Sequence, residues 1–250
     1  MIPNIIHYCW YGSDIASNKM ASRCMKSWQK LHPEKVVAWT EENCPCNENP
    51  FVEKAAQEKA YAFISDYYRL KALYEQGGIY LDTDIEIKKS LPAEMYKEEC
   101  VFGFMYDNMV SSAFIMAEPH SPVIKGLLDK YEHGEVKQGI ANNQLFTDYL
   151  LSTYPQFTLW GGYQRLDKQV VIYQKEYFEC PSVNPNRGFA VHHFMGSWHH
   201  KSKLIKLRKF VKWLRFNCFP FDYVYQNIFR ARGFKKNSFY TISLKQKNNG

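Results

Sequence analysis

Asp82 and Asp84 are separated by one residue and follow the run Gly77-Gly78-Ile79-Tyr80-Leu81. The two glycines supply the positive-φ conformation that ends a helix. The three apolar residues after them predict a short buried strand. In extended chain, residues two apart point the same way. Two carboxylates aimed at one spot repel unless a cation lies between them. All-oxygen ligation suits Mg²⁺ or Mn²⁺ better than zinc, and Mg²⁺ is held by one or two carboxylates together with substrate phosphates. A bare Asp-x-Asp also occurs by chance on solvated loops. This pair stands at the carboxyl end of a predicted strand, where open α/β sheets bind ligands.

A second pair lies upstream, in Ser65-Asp66-Tyr67-Tyr68-Arg69-Leu70. Asp66 and Arg69 are three apart on a predicted helix and so share a face. By spacing alone this reads first as an ordinary surface ion pair, worth under about 1 kcal/mol.

The elements that must position these groups read as follows. Asn4 to Trp10 predicts a first strand, and Ser17 to Leu31 a helix with Ser17 as its N-cap. Val36 to Trp39 predicts a second strand. Two helices follow, Phe51 to Ala60 and Tyr61 to Gln76, the second ending at Gly77-Gly78. Strands are predicted at 85–87, 101–104, 113–117, 170–173 and 189–194, and helices at 122–131 and 142–151. Strands alternating with helices predict an α/β sandwich with a largely parallel sheet.

The 250 residues allow one large domain, or one domain with an appendage. Aromatic residues make up 16% of the chain, enough to line a core and to offer stacking surfaces for sugars and bases. Ile2-Pro3-Asn4-Ile5-Ile6 does not resemble a signal peptide, and no run approaches a membrane span. Seven cysteines without a secretion signal point to a reducing compartment. Cys44-Pro45-Cys46 has no second cysteine pair and reads as an incidental loop. Charge is unevenly distributed. Residues 199–250 hold 13 Lys and Arg against the one acid Asp222, a net of +12, so that 1–198 carries −5 of the total +7. Within 201–216, Leu204, Leu207, Val211 and Leu214 form one stripe, and Lys203, Lys206, Lys209 and Lys212 lie near the other face. With Phe210 and Trp213 this reads as a cationic amphipathic helix at a membrane surface, or as a terminal helix packed on the domain.

Four segments occur in order: Ile-Pro-Asn-Ile-Ile-His-Tyr-Cys-Trp-Tyr-Gly (2–12), Ser-Asp-Tyr-Tyr-Arg-Leu (65–70), Gly-Gly-Ile-Tyr-Leu-Asp-Thr-Asp (77–84) and His-His-Phe-Met-Gly-Ser-Trp (192–198). Together they resemble glycosyltransferase family 32, the DXD-containing sugar transferases of bacterial capsule and polysaccharide synthesis. More distantly they are similar to the catalytic domains of clostridial glucosylating toxins. The resemblance covers roughly residues 2–200. It implies a GT-A fold, a Rossmann-like α/β sandwich that binds nucleotide-diphospho-sugars. The catalytic domain is expected over 1–200, with a basic, partly helical C-terminal segment over 201–250.

The resemblance also implies roles. Trp10 looks like the aromatic that stacks on the donor's base, although an indole at a strand end can equally be core. Ser65, Asp66 and Arg69 resemble the group that binds donor sugar hydroxyls and phosphates, for which the guanidinium fork is suited. Tyr80 falls where similar enzymes touch the nucleotide. Asp82 would reach the ribose and, through water, the metal, and Asp84 would ligate the metal directly. His193 sits where a further ligand is expected, with His192 as its rival. Ser197 and Trp198 resemble a loop closing over the diphosphate. Asn142, Asn143 and Gln144 are candidates for sugar or acceptor contacts.

The expected catalytic set is therefore Asp66, Arg69, Asp82 and Asp84. The expected metal set is Asp82, Asp84 and His193, holding Mn²⁺ or Mg²⁺. The reaction implied is retaining hexosyl transfer from a nucleotide sugar, with a UDP-sugar favoured, to a saccharide or lipid-linked glycan acceptor. The expected location is the bacterial cytoplasm, peripherally on the inner face of the membrane. A metal-dependent nucleotidyl- or phosphotransferase would use the same aspartates, but the chain holds neither a Walker A nor a G-x-G-x-x-G loop. A non-catalytic sugar-binding module would use the aromatics without turnover. Nucleic acid is not an expected partner.

Overall fold

The computed structural model describes residues 1–12, 14–137, 139–194, 210–211, 213–215 and 217–248. Strand β1 (Ile5–Cys9) pairs in parallel with β2 (Lys35–Trp39) and with β3 (Gly78–Leu81). Strand β7 (Phe114–Ala117) runs antiparallel between β3 and β5 (Cys100–Tyr106). Next to β5 lies β9 (Val170–Tyr173), parallel, and β8 (Gln164–Arg165) closes the edge antiparallel. The short β6 (Met109–Val110) folds back on β5. In the order β2-β1-β3-β7-β5-β9-β8, all but β7 and β8 point the same way. This is the expected α/β sandwich, its parallel sheet interrupted by one reversed strand in the middle.

The sheet is buried on both faces, and side-chain alternation divides its residues between two cores. Tyr80, Phe102, Phe104, Ile115 and Ile172 enter one core, with helices α2 (Pro50–Gln57), α3 (Tyr61–Gln76), α4 (Pro122–Glu132) and α5 (Asn142–Thr153). Ile79, Leu81, Val101, Phe114, Met116 and Val171 enter the other, with Trp28 and Leu31 behind α1 (Lys19–Ser27) and Phe178 of α6 (Lys175–Phe178). The N-cap of α1 is Asn18, whose side chain accepts from Ala21 N. Ser17 is instead the last residue of a separate 3₁₀ turn, its hydroxyl donating to Asp14 O.

One helix–strand unit explains why the two acidic motifs meet. Helix α3 ends at Gly77 (φ 63°), Gly78 follows at φ 105°, and the chain reverses directly into β3. Ten helical residues back from Gln76 to Asp66 span about 15 Å. Four extended residues forward from Gly78 to Asp82 span about 13 Å. Equal lengths in opposite directions bring the first half of α3 beside the carboxyl end of β3. His7 holds the turn from β1. Its Nδ1 accepts from Trp39 Nε1 (3.2 Å), so Nε2 carries the proton and donates to Gly77 O (2.9 Å).

The C-terminal helices α7 (Phe219–Lys236) and α8 (Tyr240–Asn248) lie against this domain. Phe239 between them is buried, and Gln246 accepts from Leu159 N at 2.8 Å. The buried stripe of α7 is polar, Asp222, Gln226 and Arg230 at intervals of four, whereas Phe219, Val224, Tyr225, Ile228 and Phe229 face outward. Of the apolar stripe expected over 201–216, Val211 and Leu214 are half-buried, and Leu204 and Leu207 lie outside the described residues. No helix among the described residues is long and apolar enough to cross a membrane.

Candidate active site

Arg69 joins the two motifs. Its Nη2 lies 3.0 Å from Asp66 Oδ1 and its Nη1 3.4 Å from Asp82 Oδ1. Nε donates to Ser65 O (3.1 Å), Nη1 donates to Ser112 O (2.8 Å), and the guanidinium lies 4.7 Å from the centre of the Tyr80 ring. The Tyr80 hydroxyl donates to Asp82 Oδ1 at 3.0 Å. Asp66 and Arg69 are therefore a buried pair rather than the surface pair that spacing alone allows. Burial pushes the Asp66 carboxyl up to about 7, helped by Asp82 and opposed by Arg69. Burial would lower the Arg69 pKa, but Tyr80, Asp82 and Asp66 outweigh it, so the net shift is upward.

Asp82 and Asp84 converge by a turn, not by extended geometry. Ile85 N donates to Asp82 O (2.9 Å), closing a tight turn into β4 (Ile85–Ile87). β4 pairs antiparallel with β10 (Ala190–His192), with His192 opposite Ile85. That register sets His192 Nε2 3.2 Å from Asp84 Oδ1. One ligand atom from each of Asp82, Asp84 and His192 lies within 4.8 Å of the others.

His193, the expected ligand, turns the other way. Its Nε2 lies 2.9 Å from Glu86 Oε2, and its backbone N donates to Asp84 O at 3.0 Å. The alternation of side chains along an extended segment separates the two histidines. The structure thus brings His192, not His193, to the aspartates.

His192 is held on both ring nitrogens, with Nδ1 3.0 Å from Glu179 Oε2. Burial alone would lower its pKa, but Asp84 and Glu179 outweigh burial and push it up to about 10. A protonated imidazole thus balances the carboxylates around it. Burial raises the Asp82 carboxyl, with Arg69 opposing and Asp84 adding to the rise. Two carboxylates and one imidazole fit a divalent ion of the Mn²⁺ type. The bond from Nδ1 to Glu179 leaves Nε2 as the atom that could ligate such an ion once it gives up its proton, the arrangement usual for a metal-bound histidine.

The remaining expected residues are placed as follows. Trp10 is half-buried just beyond β1, its backbone N donating to Trp39 O (3.0 Å). Ser65 donates its hydroxyl to Tyr61 O (3.1 Å). Ser197 and Trp198 lie outside the described residues. Asn142 and Asn143 brace the site from within the protein. Asn142 Nδ2 donates to Asp66 O (3.1 Å), and Asn143 Oδ1 accepts from Ser112 N and Ser112 Oγ, each at 2.8 Å. Sequence reasoning missed Ser112 and Glu179, which belong to no motif. The signal for His192 over His193 was strand alternation, which needs the register to decide it.

Residues 18–102 match the family model described as "Glycosyltransferase sugar-binding region containing DXD motif". The matched stretch is roughly a third of the chain and contains Asp66, Arg69, Asp82 and Asp84. The resemblance to DXD-containing sugar transferases is borne out over that stretch. No curated protein matches the chain. Similar solved structures include the PaToxG glycosyltransferase, at 20% identity and TM-score 0.48, covering 62% of this chain and 70% of that one. A second is a glycosyltransferase involved in glycosylation of the major capsid of PBCV-1, at 10% identity and TM-score 0.40, covering 70% and 84%. A third is the galactosyltransferase LgtC in complex with donor and acceptor sugar analogs, at 13% identity and TM-score 0.44, covering 83% and 94%.

Proposed function

We propose that this chain is a retaining, metal-dependent glycosyltransferase. It moves a hexose from a nucleotide sugar, a UDP-sugar foremost, to a saccharide or lipid-linked saccharide in polysaccharide synthesis. The observation that carries this reading is one continuous cluster: Arg69 and Tyr80 tie Asp66 to Asp82, with Asp84 and His192 alongside. Asp82, Asp84 and His192 would hold a divalent ion, and the imidazole would shift the set from Mg²⁺ toward Mn²⁺. When bound, that ion neutralises charge developing on the diphosphate leaving group.

The chain's own residues do the rest. Asp66 accepts from donor-sugar hydroxyls. The donors of Arg69 are spent on Asp66, Asp82, Ser65 and Ser112, so its main work is to fix two carboxylates in position, with its charge available to the phosphates. Tyr80 sets the rotamer of Asp82. Trp10 stacks on the base, and Ser65 lines the donor pocket. No carboxylate is marked as a covalent nucleophile by the sequence, in contrast to retaining glycosidases. Same-face attack guided by the leaving phosphate is the mechanism we propose.

The enzyme works on the cytoplasmic face of the membrane. Supporting this, Val224 and Ile228 on the outward side of α7 are 56% and 51% exposed, within a segment of net charge +12. Apolar side chains beside lysines and arginines suit an anionic bilayer surface, where lipid-linked acceptors reside.

The test is donor hydrolysis across a panel of UDP- and GDP-sugars with Mn²⁺, reading released nucleoside diphosphate, with EDTA as control. One donor hydrolysed only with metal is the expected result. Silence across the panel, with no nucleotide binding by calorimetry, overturns the reading in favour of a non-catalytic sugar binder.

A further inference from the structure

Glu179 belongs to none of the motifs, yet it is fully buried, 0% exposed, at the end of α6. Its Oε2 lies 3.0 Å from His192 Nδ1, and its Oε1 accepts from the Ser111 hydroxyl. Arg230, 2% exposed on α7, lies with Nη2 3.4 Å from Glu179 Oε2 and donates to Glu179 O at 2.6 Å. The same helix reaches the histidine's own backbone: Gln226 Nε2 donates to His192 O at 3.1 Å. Phe194, at φ 51°, stacks its ring 3.8 Å from His192 and lies beneath the Arg230 guanidinium at 5.1 Å.

A buried carboxylate is costly without cationic partners. Arg230 is such a partner for Glu179, with Nη2 3.4 Å from Oε2, and the Ser111 hydroxyl satisfies the other carboxylate oxygen. Ring rotation of His192 is blocked on one face by Phe194 and at Nδ1 by Glu179. Nε2 is thereby aimed at Asp84. A left-handed conformation is costly for a phenylalanine, and here it is the conformation that puts the ring on His192.

We infer that Glu179 is the positioning residue of the cation site: its carboxylate fixes the tautomer and direction of His192, and Arg230 and Gln226 of α7 fix Glu179 and the His192 strand in turn. This rests on the metal reading proposed above. It also gives the C-terminal helix a place in the site rather than beside it. A carboxylate behind a ligating imidazole raises its basicity, and loss of such a partner costs about 10–100-fold in metal affinity.

The test is Mn²⁺ titration of the full chain, followed by electron paramagnetic resonance, with thermal unfolding as a control. Echo modulation reads directly bound imidazole nitrogen. Wild type should bind Mn²⁺ and show nitrogen coupling that His192→Gln removes. Glu179→Gln keeps shape but not charge, and Glu179→Asp keeps charge but not reach. Each should weaken Mn²⁺ by about 10–100-fold in protein that still shows a cooperative melting transition, and whichever variant is folded decides. Wild-type affinity in a folded Glu179 variant overturns this inference and leaves the metal site standing. No Mn²⁺ binding by wild type overturns the metal reading, and this inference with it.

Discussion

His192 Nε2 lies 3.2 Å from Asp84 Oδ1, although 107 residues of chain separate them. The contact is made by two three-residue strands, β4 and β10, whose register sets His192 opposite Ile85. One step of slippage would present His193 instead, because each step along a strand exchanges its faces. This small ribbon, outside the main sheet, therefore decides which histidine reaches Asp84.

Asp84→Asn removes one carboxylate of the cluster while keeping its volume. Metal-dependent donor hydrolysis should fall by about 10²-fold or more, with the circular dichroism spectrum unchanged. Hydrolysis within a few-fold of wild type would remove Asp84 from the site.

Arg69→Met should destabilise the fold by about 3–5 kcal/mol in urea unfolding, since it leaves Asp66 without its buried cation. Arg69→Lys keeps the charge but cannot span Asp66, Asp82, Ser65 O and Ser112 O together. Its loss should be intermediate in stability and close to that of Arg69→Met in activity. A lysine variant with full activity would show that charge alone suffices there.

Burial pushes the His7 pKa down to about 4 from 6.5, with the bond to Gly77 opposing. The folded pKa lies below the unfolded one, so the unfolded chain takes up the proton first as pH falls. The stability His7 contributes is complete above pH 6.5 and is lost as pH drops toward 4. The loss amounts to about 3 kcal/mol at the bottom of that window. Denaturant unfolding of wild type and His7→Gln from pH 7.5 to 4 checks this: their difference should shrink as pH falls. A constant difference would mean that His7 is not held neutral.

Gly78→Ala meets two obstacles. The residue sits at φ 105°, and an added Cβ would lie 2.5 Å from Ile5 O, a backbone atom of β1. Backbone strain of about 1–3 kcal/mol is shared by Gly134→Ala, which also sits at positive φ (70°) but meets nothing within 4 Å, so the displaced β1–β3 pair should set the urea midpoint of Gly78→Ala below that of this control.

Val224→Ser with Ile228→Ser should weaken co-sedimentation with anionic vesicles at little cost in melting temperature, since both side chains face outward. Removing residues 218–250 should cost the fold itself, because Phe239, Arg230 and Gln226 are buried against the domain. Unaltered vesicle binding by the double variant would discount the outward face of α7 as the membrane contact.

What the sequence determined by itself was local and adjacent. Gly77-Gly78 marks the reversal between α3 and β3, apolar runs mark buried strands, and Asp66, Arg69, Asp82 and Asp84 all fall within one helix–turn–strand unit. Helix rise and strand rise are fixed lengths, so the meeting of those residues is legible from spacing. The DXD convergence was legible too, although a turn rather than an extended strand produces it. Tertiary structure decided whatever depends on register and burial across distant segments. His192 over His193 needed the β4–β10 pairing. The buried state of the Asp66–Arg69 pair needed Tyr80 and Ser112 around it. The roles of Asn142, Asn143 and Glu179 needed partners from other elements. The segment that forms α7 reads in sequence only as part of a basic C-terminal appendage. In the fold its polar stripe is buried instead: Gln226 and Arg230 donate to His192 O and Glu179 O of the domain and Asp222 accepts from Arg215, contacts that no periodicity could reveal.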